Sequence, residues 1–319
     1  MKRAAGAVLA AIGAFLLTAA VLVWVYARPQ LVRAPLNQDT TTVAEADGAT
    51  YLKVNPDTKK ITIEHGAKLR ATRVVHGDVK ASSNDTVVYD VFLRLENEAD
   101  NSLVKAYTDR VADDRRTALA VNCCGEKADD DPVAHHGLSY KFPFGTEKRT
   151  YQLFDVQAKR PFPMQYKETT TLDGVEVYRF EQRISDEVID HQEAPGELVG
   201  QPSVPTVNAE LRYSNVRTVW VEPVTGSIVK GEEVQKQELA ANGSRGTVLD
   251  ADLVFTDKTV AERLSDARRD KVSASVISIM PAPLAALGLV LLLAGLVLIF
   301  AGRKPGAHRA AEPAEYQHT

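Results

Sequence analysis

The stretch VVYDVFLRLE, from Val87 to Glu96, alternates between two kinds of side chain. Every second residue from Val87 to Leu95 is apolar, whereas the positions between them include Asp90 and Arg94. A period of two is typical of a β-strand that buries one face. Runs rich in Val, Thr, Tyr and Ile recur between turn residues at 59–66, 172–184, 207–223 and 246–255. The sequence therefore predicts a mainly β, antiparallel domain.

Two long uncharged runs flank this β-rich region, at residues 4–27 and 272–302. As a helix, each is long enough to cross a hydrocarbon core of about 30 Å. The sequence predicts a transmembrane helix at each end of the chain. A cleaved signal peptide is the alternative for the first run, because Val25-Tyr26-Ala27 resembles a cleavage site. The run is, however, longer than the usual ~7–15 apolar residues of such a peptide.

The two runs divide the chain into five predicted segments. These are 1–27 (cytoplasmic tip and first transmembrane helix), 28–42 (tether), 43–271 (extracytoplasmic β-rich domain), 272–302 (second transmembrane helix) and 303–319 (cytoplasmic tail). Basic residues in both short tails put both termini in the cytoplasm by the positive-inside rule. A loop as long as the central segment translocates largely irrespective of its charge.

Two finer features of the central segment are also predicted. Thr259 with Glu262 has the spacing of a capping box, which predicts a helix over Thr259–Val272 that leads into the second span. The Pro-rich run at 193–205 predicts a long surface loop or a seam between two lobes. The β-rich domain therefore has one or two lobes.

Charge and motif content narrow the class of protein. Five of the 38 basic and two of the 42 acidic residues lie in the tails, which leaves 33 and 40 outside and a net charge of −7. A mildly acidic surface suits an exported domain and offers no basic face to nucleic acid. The acidic run at 129–131 lacks the spacing of a calcium loop. Nucleophile-elbow, zinc-protease and P-loop motifs are absent from the sequence, so we expect no enzyme, cofactor or metal.

Both cysteines are adjacent, in the stretch AVNCCGEKADDDPVAHH at 120–136. Neighbouring side chains tend to point apart, so Cys123-Cys124 with His135-His136 fits a metal site poorly. A free catalytic thiol would tend to oxidise outside the cytoplasm. We favour a disulfide between Cys123 and Cys124, which would stiffen a tight turn. An intermolecular bridge or two free thiols are the alternatives.

The run HGLSYKFPFGTEKRTYQLFD at 136–155, with NCCGE at 122–126 and the two spans, resembles the porin PorA family of high-GC Gram-positive bacteria. The resemblance covers nearly the whole chain, and KFPFGTEK at 141–148 is its distinctive part. It implies a cell-envelope channel and transfers no catalytic or ligand residues. A bacterial barrel has strands with an apolar lipid-facing side. The strands here carry charges freely, and two helices already provide the anchoring.

The layout is also similar to that of class B scavenger receptors, which hold a β-rich outside domain between two spans and pass lipid along an internal tunnel. That analogy implies a ligand-binding cavity in the β-rich domain. Its candidate lining residues are Phe142, Phe144, Phe154, Phe162 and Met164. Plain core packing is the alternative explanation of this aromatic cluster.

We therefore expect a two-pass cell-membrane protein whose extracytoplasmic domain binds or conveys a lipid or another apolar envelope component. A channel-forming, porin-like protein is the first alternative. A structural module that acts through protein contacts is the second. The expected partners are membrane lipid, an apolar ligand and a second copy or another envelope protein.

Overall fold

The computed structural model describes residues 2–27, 30, 32–55, 58 and 60–301. Part of the predicted tether (Arg28, Pro29 and Leu31) and the whole predicted tail at 303–319 lie outside these residues. The chain divides into two compact units, Met1–Leu31 with Val276–Thr319 and Val32–Ser275. Each unit is described separately below.

The larger unit is mainly antiparallel β, as predicted, and its strands form one sheet. The twelve strands of its described part are β1 Asp39–Val54, β2 Ile61–Gly77, β3 Thr86–Asn97, β4 Leu103–Asp114, β5 Lys127–Ala128, β6 Asp131–Pro132, β7 Tyr151–Asp155, β8 Arg160–Leu172, β9 Val175–Pro195, β10 Thr206–Glu222, β11 Ser227–Ala241 and β12 Ser244–Phe255. β1 begins at Asp39, so the last four residues of the predicted tether are strand instead. Thr40, Thr41 and Thr42 pair with β2 there, as β-branched residues favour.

The strand order is β6-β5-β4-β3-β2-β1-β12-β11-β10-β9-β8-β7. The sheet therefore consists of two meanders, β1–β6 and β7–β12, and β1 joins them by pairing with β12. Tyr51 lies opposite Leu249, and Ala44 lies opposite Phe255, in that central pair. Because this pairing makes the two meanders one continuous sheet, the domain has one lobe and not two.

The alternation that predicts β3 is confirmed by its burial. Val87, Tyr89, Val91 and Leu95 are buried and Leu93 is half-buried, whereas Phe92 on the other face is 43% exposed; Val88 is the exception, since it lies on that other face and is also buried. β3 pairs with β2 from Tyr89 to Asn97 and with β4 from Thr86 to Glu96, so it is an interior strand of the sheet. The inward face of this strand packs on Val75 and Val111 of its neighbours. Strand register thus fixes which side chains reach the interior.

The first half of the Pro-rich run at 193–205 is neither a free surface loop nor a seam between two lobes. β9 continues to Pro195, and a 3-10 turn follows at Gly196–Val199. Val199 is fully buried and packs with Val207 and Leu239. The apolar side chains of this run therefore hold it against β10 and β11.

The sheet curls, so that its two ends face each other across an interior. Residues 133–150 connect β6 at one end to β7 at the other, and Leu138 forms a bridge with Leu153. The Phe142 backbone amide donates to the Gly226 carbonyl oxygen at 2.9 Å, in the turn between β10 and β11. Side chains from β1–β4 and from β10–β12 consequently line one common cavity.

The described chain also contains three α-helices: α1 (Lys2–Leu22), α2 (Asp257–Ile279) and α3 (Pro281–Ala301). A π-helical turn at Val23–Ala27 extends α1. α2 is longer at both ends than the predicted Thr259–Val272. The Thr256 hydroxyl accepts a hydrogen bond from the Thr259 amide at 3.2 Å, so Thr256 and not Thr259 occupies the capping position. Residues 272–279 of the predicted second span belong to α2.

α1 and α3 pack antiparallel through glycines that are spaced seven residues apart. A Cβ atom on Gly6 would lie 2.9 Å from the Gly295 oxygen, and one on Gly13 would lie 2.7 Å from the Gly288 oxygen. Small residues let two backbones approach this closely inside a bilayer. Two helical segments can span a membrane by length and composition. They are Arg3–Ala27, which is α1 with its π-helical turn, and Asp257–Ala301, which contains α2 and α3.

Candidate functional site

A cavity of about 100 Å³ lies inside the curled sheet. Its apolar lining includes Leu95, Leu153, Phe154, Leu249, Leu253 and Phe255. Its polar lining includes Arg73, Lys105, Tyr107, Tyr140, Asp155, Arg217 and Glu233. The volume is below the roughly 300–1,000 Å³ of pockets for drug-sized ligands, but it exceeds the space that a few waters need. The cavity is therefore suited to a small solute.

Arg217 of β10 is the centre of an ionic cluster on one wall of the cavity. Its guanidinium lies 3.1 Å from the Asp155 carboxylate and 3.0 Å from the Glu233 carboxylate, and it donates to the Gln182 side chain at 2.8 Å. Burial lowers the pKa of Arg217, but Glu233 and Asp155 outweigh burial and the net pKa is raised. Burial raises the pKa of Glu233, but Arg217 outweighs it and the pKa falls to about 2. Arg217 and Glu233 are thus both charged at neutral pH.

Two further cations line the same cavity without a carboxylate partner. In the described part of the chain, neither Lys105 of β4 nor Arg73 of β2 forms a salt bridge. The Lys105 ammonium donates to Gln157 and, at 3.4 Å, to Gln237. Arg73 lies 5.7 Å from the centroid of the Tyr140 ring. Burial lowers the pKa of Lys105 to about 8, so this amine is close to titrating under physiological conditions.

The five residues of the predicted aromatic cluster do not come together around this cavity. Only Phe154 lines it. Phe142 and Met164 are fully buried in one core cluster, and Phe162 belongs to another. Phe144 stacks under the Lys141 ammonium, 4.2 Å from its ring centroid. Whether Phe154 or the others bind a ligand stays a prediction.

Cys123 and Cys124 are joined in the expected disulfide. Both Cys124 (φ 67°) and Gly125 (φ 75°) adopt the left-handed conformation, which makes a tight corner. The Cys124 carbonyl oxygen accepts a hydrogen bond from Arg110 at 3.1 Å. The corner lies outside the cavity lining, so it is a rigid surface element and not a part of the site.

His135 is fully buried between two carboxylates that the sequence did not assign to it. Its Nδ1 lies 2.8 Å from Glu126 and its Nε2 lies 3.0 Å from Asp109. The Tyr140 hydroxyl donates to the second oxygen of Asp109 at 2.6 Å. Burial lowers the pKa of His135, but the bonds to Asp109 and Glu126 outweigh burial and the net pKa is raised. No cluster among the described residues has the arrangement of a metal site.

Asp113 lies beside this cluster, 2% exposed, and neither of its carboxylate oxygens has a hydrogen-bond partner. Burial, together with Glu126 and Asp109, raises the pKa of Asp113 well above its usual range. A buried carboxyl without a donor is held in its neutral form, because ionising it there is unfavourable. Folding therefore favours proton uptake at both Asp113 and His135.

We expect the free energy of unfolding to decrease as the pH rises above 3.8 for Asp113 and above 6.5 for His135, because the unfolded state then loses these protons first. A raised pKa means that the folded state binds more protons, so the stabilisation is complete below the unfolded pKa of 3.8 (Asp113) or 6.5 (His135) and is lost above the folded value. Each group contributes at most about 1.4 kcal/mol per pH unit. Denaturant unfolding of the full chain in detergent measures the slope.

Asp113→Asn should stabilise the protein more at pH 8 than at pH 5, because it removes the carboxyl that must stay neutral. Asp130→Asn is the matched control, since the side chain of Asp130 is fully exposed. A difference between Asp113→Asn and the wild type that is the same at every pH would contradict the assignment.

The charged residues of the cavity were not predicted from the sequence, because they occupy positions of the strand pattern that normally hold apolar residues. In β10, the inward face is formed by Tyr213, Asn215, Arg217 and Val219. Arg217 is a charged residue in register with buried neighbours, which is the signal that could have identified it. Lys105 and Tyr107 have the same parity along β4.

Two apolar helices and a curled antiparallel sheet with a charged interior define a membrane-anchored, mainly β protein. The chain belongs to the Porin PorA family, whose model matches residues 5–297. This family membership supports a porin-like protein of the cell envelope.

Two relatives are similar along most of their length. Porin PorA of Corynebacterium amycolatum is 28% identical over 297 residues, which covers 73% of this chain and 77% of the relative. Porin PorA of Corynebacterium resistens is 26% identical over 298 residues, which covers 68% of this chain and 72% of the relative.

Proposed function

We propose that this chain forms a channel for small hydrophilic solutes in the cell envelope. The observation that carries the proposal is the match to the Porin PorA family over residues 5–297. The charged cavity supports it, because a path for hydrophilic solutes needs side chains that replace their water shell. The function is one of passage and binding, without a chemical reaction.

The proposed topology has two membrane passes, with both termini in the cytoplasm and residues 43–271 outside. The antiparallel packing of α1 and α3 supports it, because it brings residues 2 and 301 to the same end of the helix pair. Membrane lipid is the partner of the outer faces of both helices, where Phe15 is 71% exposed and Val297 is 65% exposed.

The proposed channel contains several copies of the chain. In the described helices α1 and α3, Thr18 is the one polar side chain beyond the first turn, and its hydroxyl donates to the Ala14 carbonyl at 2.9 Å. A single helix pair therefore offers no polar stripe to line a pore. Assembly of several copies, with the interiors of the sheets as polar compartments, supplies what one pair lacks.

Planar-bilayer recording with the purified full chain tests this function. We expect discrete conductance steps that scale in frequency with the amount of protein, and detergent alone is the control. Repeated recordings without steps, from protein whose fold is verified by circular dichroism, would remove the channel function.

Carriage of an apolar envelope component is the second candidate, favoured by the apolar half of the cavity lining, such as Leu153, Phe154 and Leu253. The charged half of the lining and the cavity volume of about 100 Å³ favour the channel over carriage of an apolar component. Native mass spectrometry of gently purified protein distinguishes the two: a lipid retained at fixed stoichiometry by protein that never conducts would favour carriage.

A further inference from the structure

The lining of the cavity inside the sheet holds three cations, Arg73, Lys105 and Arg217, and three carboxylates, Asp155, Glu232 and Glu233. Arg217 uses both carboxylates of its wall, Asp155 and Glu233. Arg73 and Lys105 remain, and a third lining carboxylate, Glu232, is bound 2.8 Å away by the Lys230 ammonium. Two cations thus face the cavity with no carboxylate of the described chain bound to them.

Hydroxyl donors face the same space. Tyr107 and Tyr140 line it, and so does Ser139, whose buried hydroxyl has no hydrogen-bond partner in the structure. The Tyr140 hydroxyl is used by Asp109, which leaves Tyr107 and Ser139. The two cations, which have only neutral acceptors among the described residues, and these two hydroxyl groups are together the complement of an acceptor ligand.

Within the part of the chain that the structure describes, neither Lys105 nor Arg73 has a bound carboxylate that offsets the cost of its burial. A cation moved into a low-dielectric interior is unfavourable without a negative partner. Burial lowers the pKa of Lys105 to about 8, which is the direction that this cost requires. Leu or Met at position 105 would fill the same wall without the cost of burying a charge. The presence of an amine there is therefore explained better by ligand binding than by stability.

We propose that this cavity binds a small oxyanion, a carboxylate or a phosphate group, between Lys105 and Arg73, with Tyr107 and Ser139 as hydroxyl donors. The inference rests on the proposed function, since it names the class of solute that the polar compartment takes. The volume of about 100 Å³ admits such a group together with a few waters.

Isothermal titration of the detergent-solubilised full chain with inorganic phosphate and with acetate, at pH 7, tests the site. We expect saturable binding that Lys105→Gln and Arg73→Gln each weaken roughly 10–100-fold, as the loss of a charge-assisted hydrogen bond does. Arg70→Gln is the matched control: it removes the same charge from the opposite face of β2, where Arg70 binds Glu45 and Glu98, and should leave binding unchanged.

The pH dependence separates a direct role of Lys105 from a structural one. The charged and titratable groups that line the cavity with Lys105 are Arg73, Tyr107, Tyr140, Asp155, Tyr213, Arg217, Glu232 and Glu233, and Asp129 acts on Lys105 from outside the lining. Of these, Asp155 and Asp129 raise the pKa of Lys105 against the effect of burial. Binding should weaken as the pH rises through about 8, and Lys105→Arg should keep it at higher pH because a guanidinium stays protonated.

The source of the anion is decided by a parallel titration with vesicles that contain phosphatidic acid. Binding of dissolved ions that depends on Lys105 identifies a soluble solute, and binding of vesicles alone with the same dependence identifies a lipid headgroup; both support the site. No saturable binding of any probe, or equal binding by Lys105→Gln and the wild type, overturns it. Ion binding by protein that never conducts would remove the channel and keep the site, whereas conductance without binding would do the reverse.

Discussion

Arg217→Met should destabilise the protein by roughly 3–5 kcal/mol, the usual effect of removing one partner of a buried ionic cluster. The guanidinium binds Asp155, which is fully buried, and Glu233, which is 23% exposed. Methionine has nearly the same volume, so packing changes little while two carboxylates lose their cation. The free energy of unfolding, measured with urea on the full chain in detergent, reports the loss.

Arg212→Met is the matched control, on the same strand. Arg212 binds Asp186 and Glu210 near the surface, so its replacement should cost only about 0–1 kcal/mol. Adding Asp155→Asn and Glu233→Gln to Arg217→Met should recover much of the lost stability, because no buried charge then remains without a partner. If Arg217→Met behaved like Arg212→Met, the cluster would be solvated and its assignment as a buried ionic cluster would be wrong.

Local patterns predict the strands well because they depend on local physics. The alternation from Val87 to Leu95 needs only a sheet with one buried face, and β3 forms there with the predicted side inward. The adjacent cysteines need no long-range contact to form a ring. Both uncharged runs are helical for a similarly local reason, since length and apolarity suffice.

The interior could not be predicted, because it depends on pairing between distant segments. β1 pairs with β12, about two hundred residues later, and this pair alone turns two meanders into one curled sheet. Alternation shows that Arg217 and Lys105 share the inward face of their strands. Alternation does not show that the inward faces of the two meanders meet, nor that a cavity lies between them in place of a packed core.

The predicted aromatic cluster also shows that contacts between strands cannot be predicted from local sequence. Phe142, Phe144, Phe154, Phe162 and Met164 lie within 23 positions of one another, which favours a common site. Register separates them, because the pairing of β7 with β8 puts Leu153 opposite Phe162 and Tyr151 opposite Met164. Phe154 alone lines the cavity, beside the ring of His135 at 4.3 Å. Proximity in sequence was therefore a poor guide to proximity in the cavity.

Gly13→Leu should separate α1 from α3 inside the membrane. A Cβ atom at Gly13 would collide with the Leu292 backbone and lie 2.7 Å from the Gly288 oxygen, so a leucine forces the two helices apart. Overpacking of a close contact costs about 1–3 kcal/mol, which is roughly 5–150-fold in the equilibrium between paired and separated helices. Lipid-facing apolar surface gives no compensating attraction, since lipid tails are as apolar as leucine.

Cross-linking of Ala10→Cys with Leu292→Cys measures this pairing, because both positions lie beside the glycine contacts. Mass spectrometry of the linked helix peptides gives the yield in reconstituted vesicles, and Gly13→Leu should lower it strongly. Ala14→Leu adds the same side chain one position along, on a face that is exposed, and should leave the yield unchanged. Equal yields for the two variants would mean that the glycines do not hold the helices together, and the antiparallel support for two membrane passes would be lost with them.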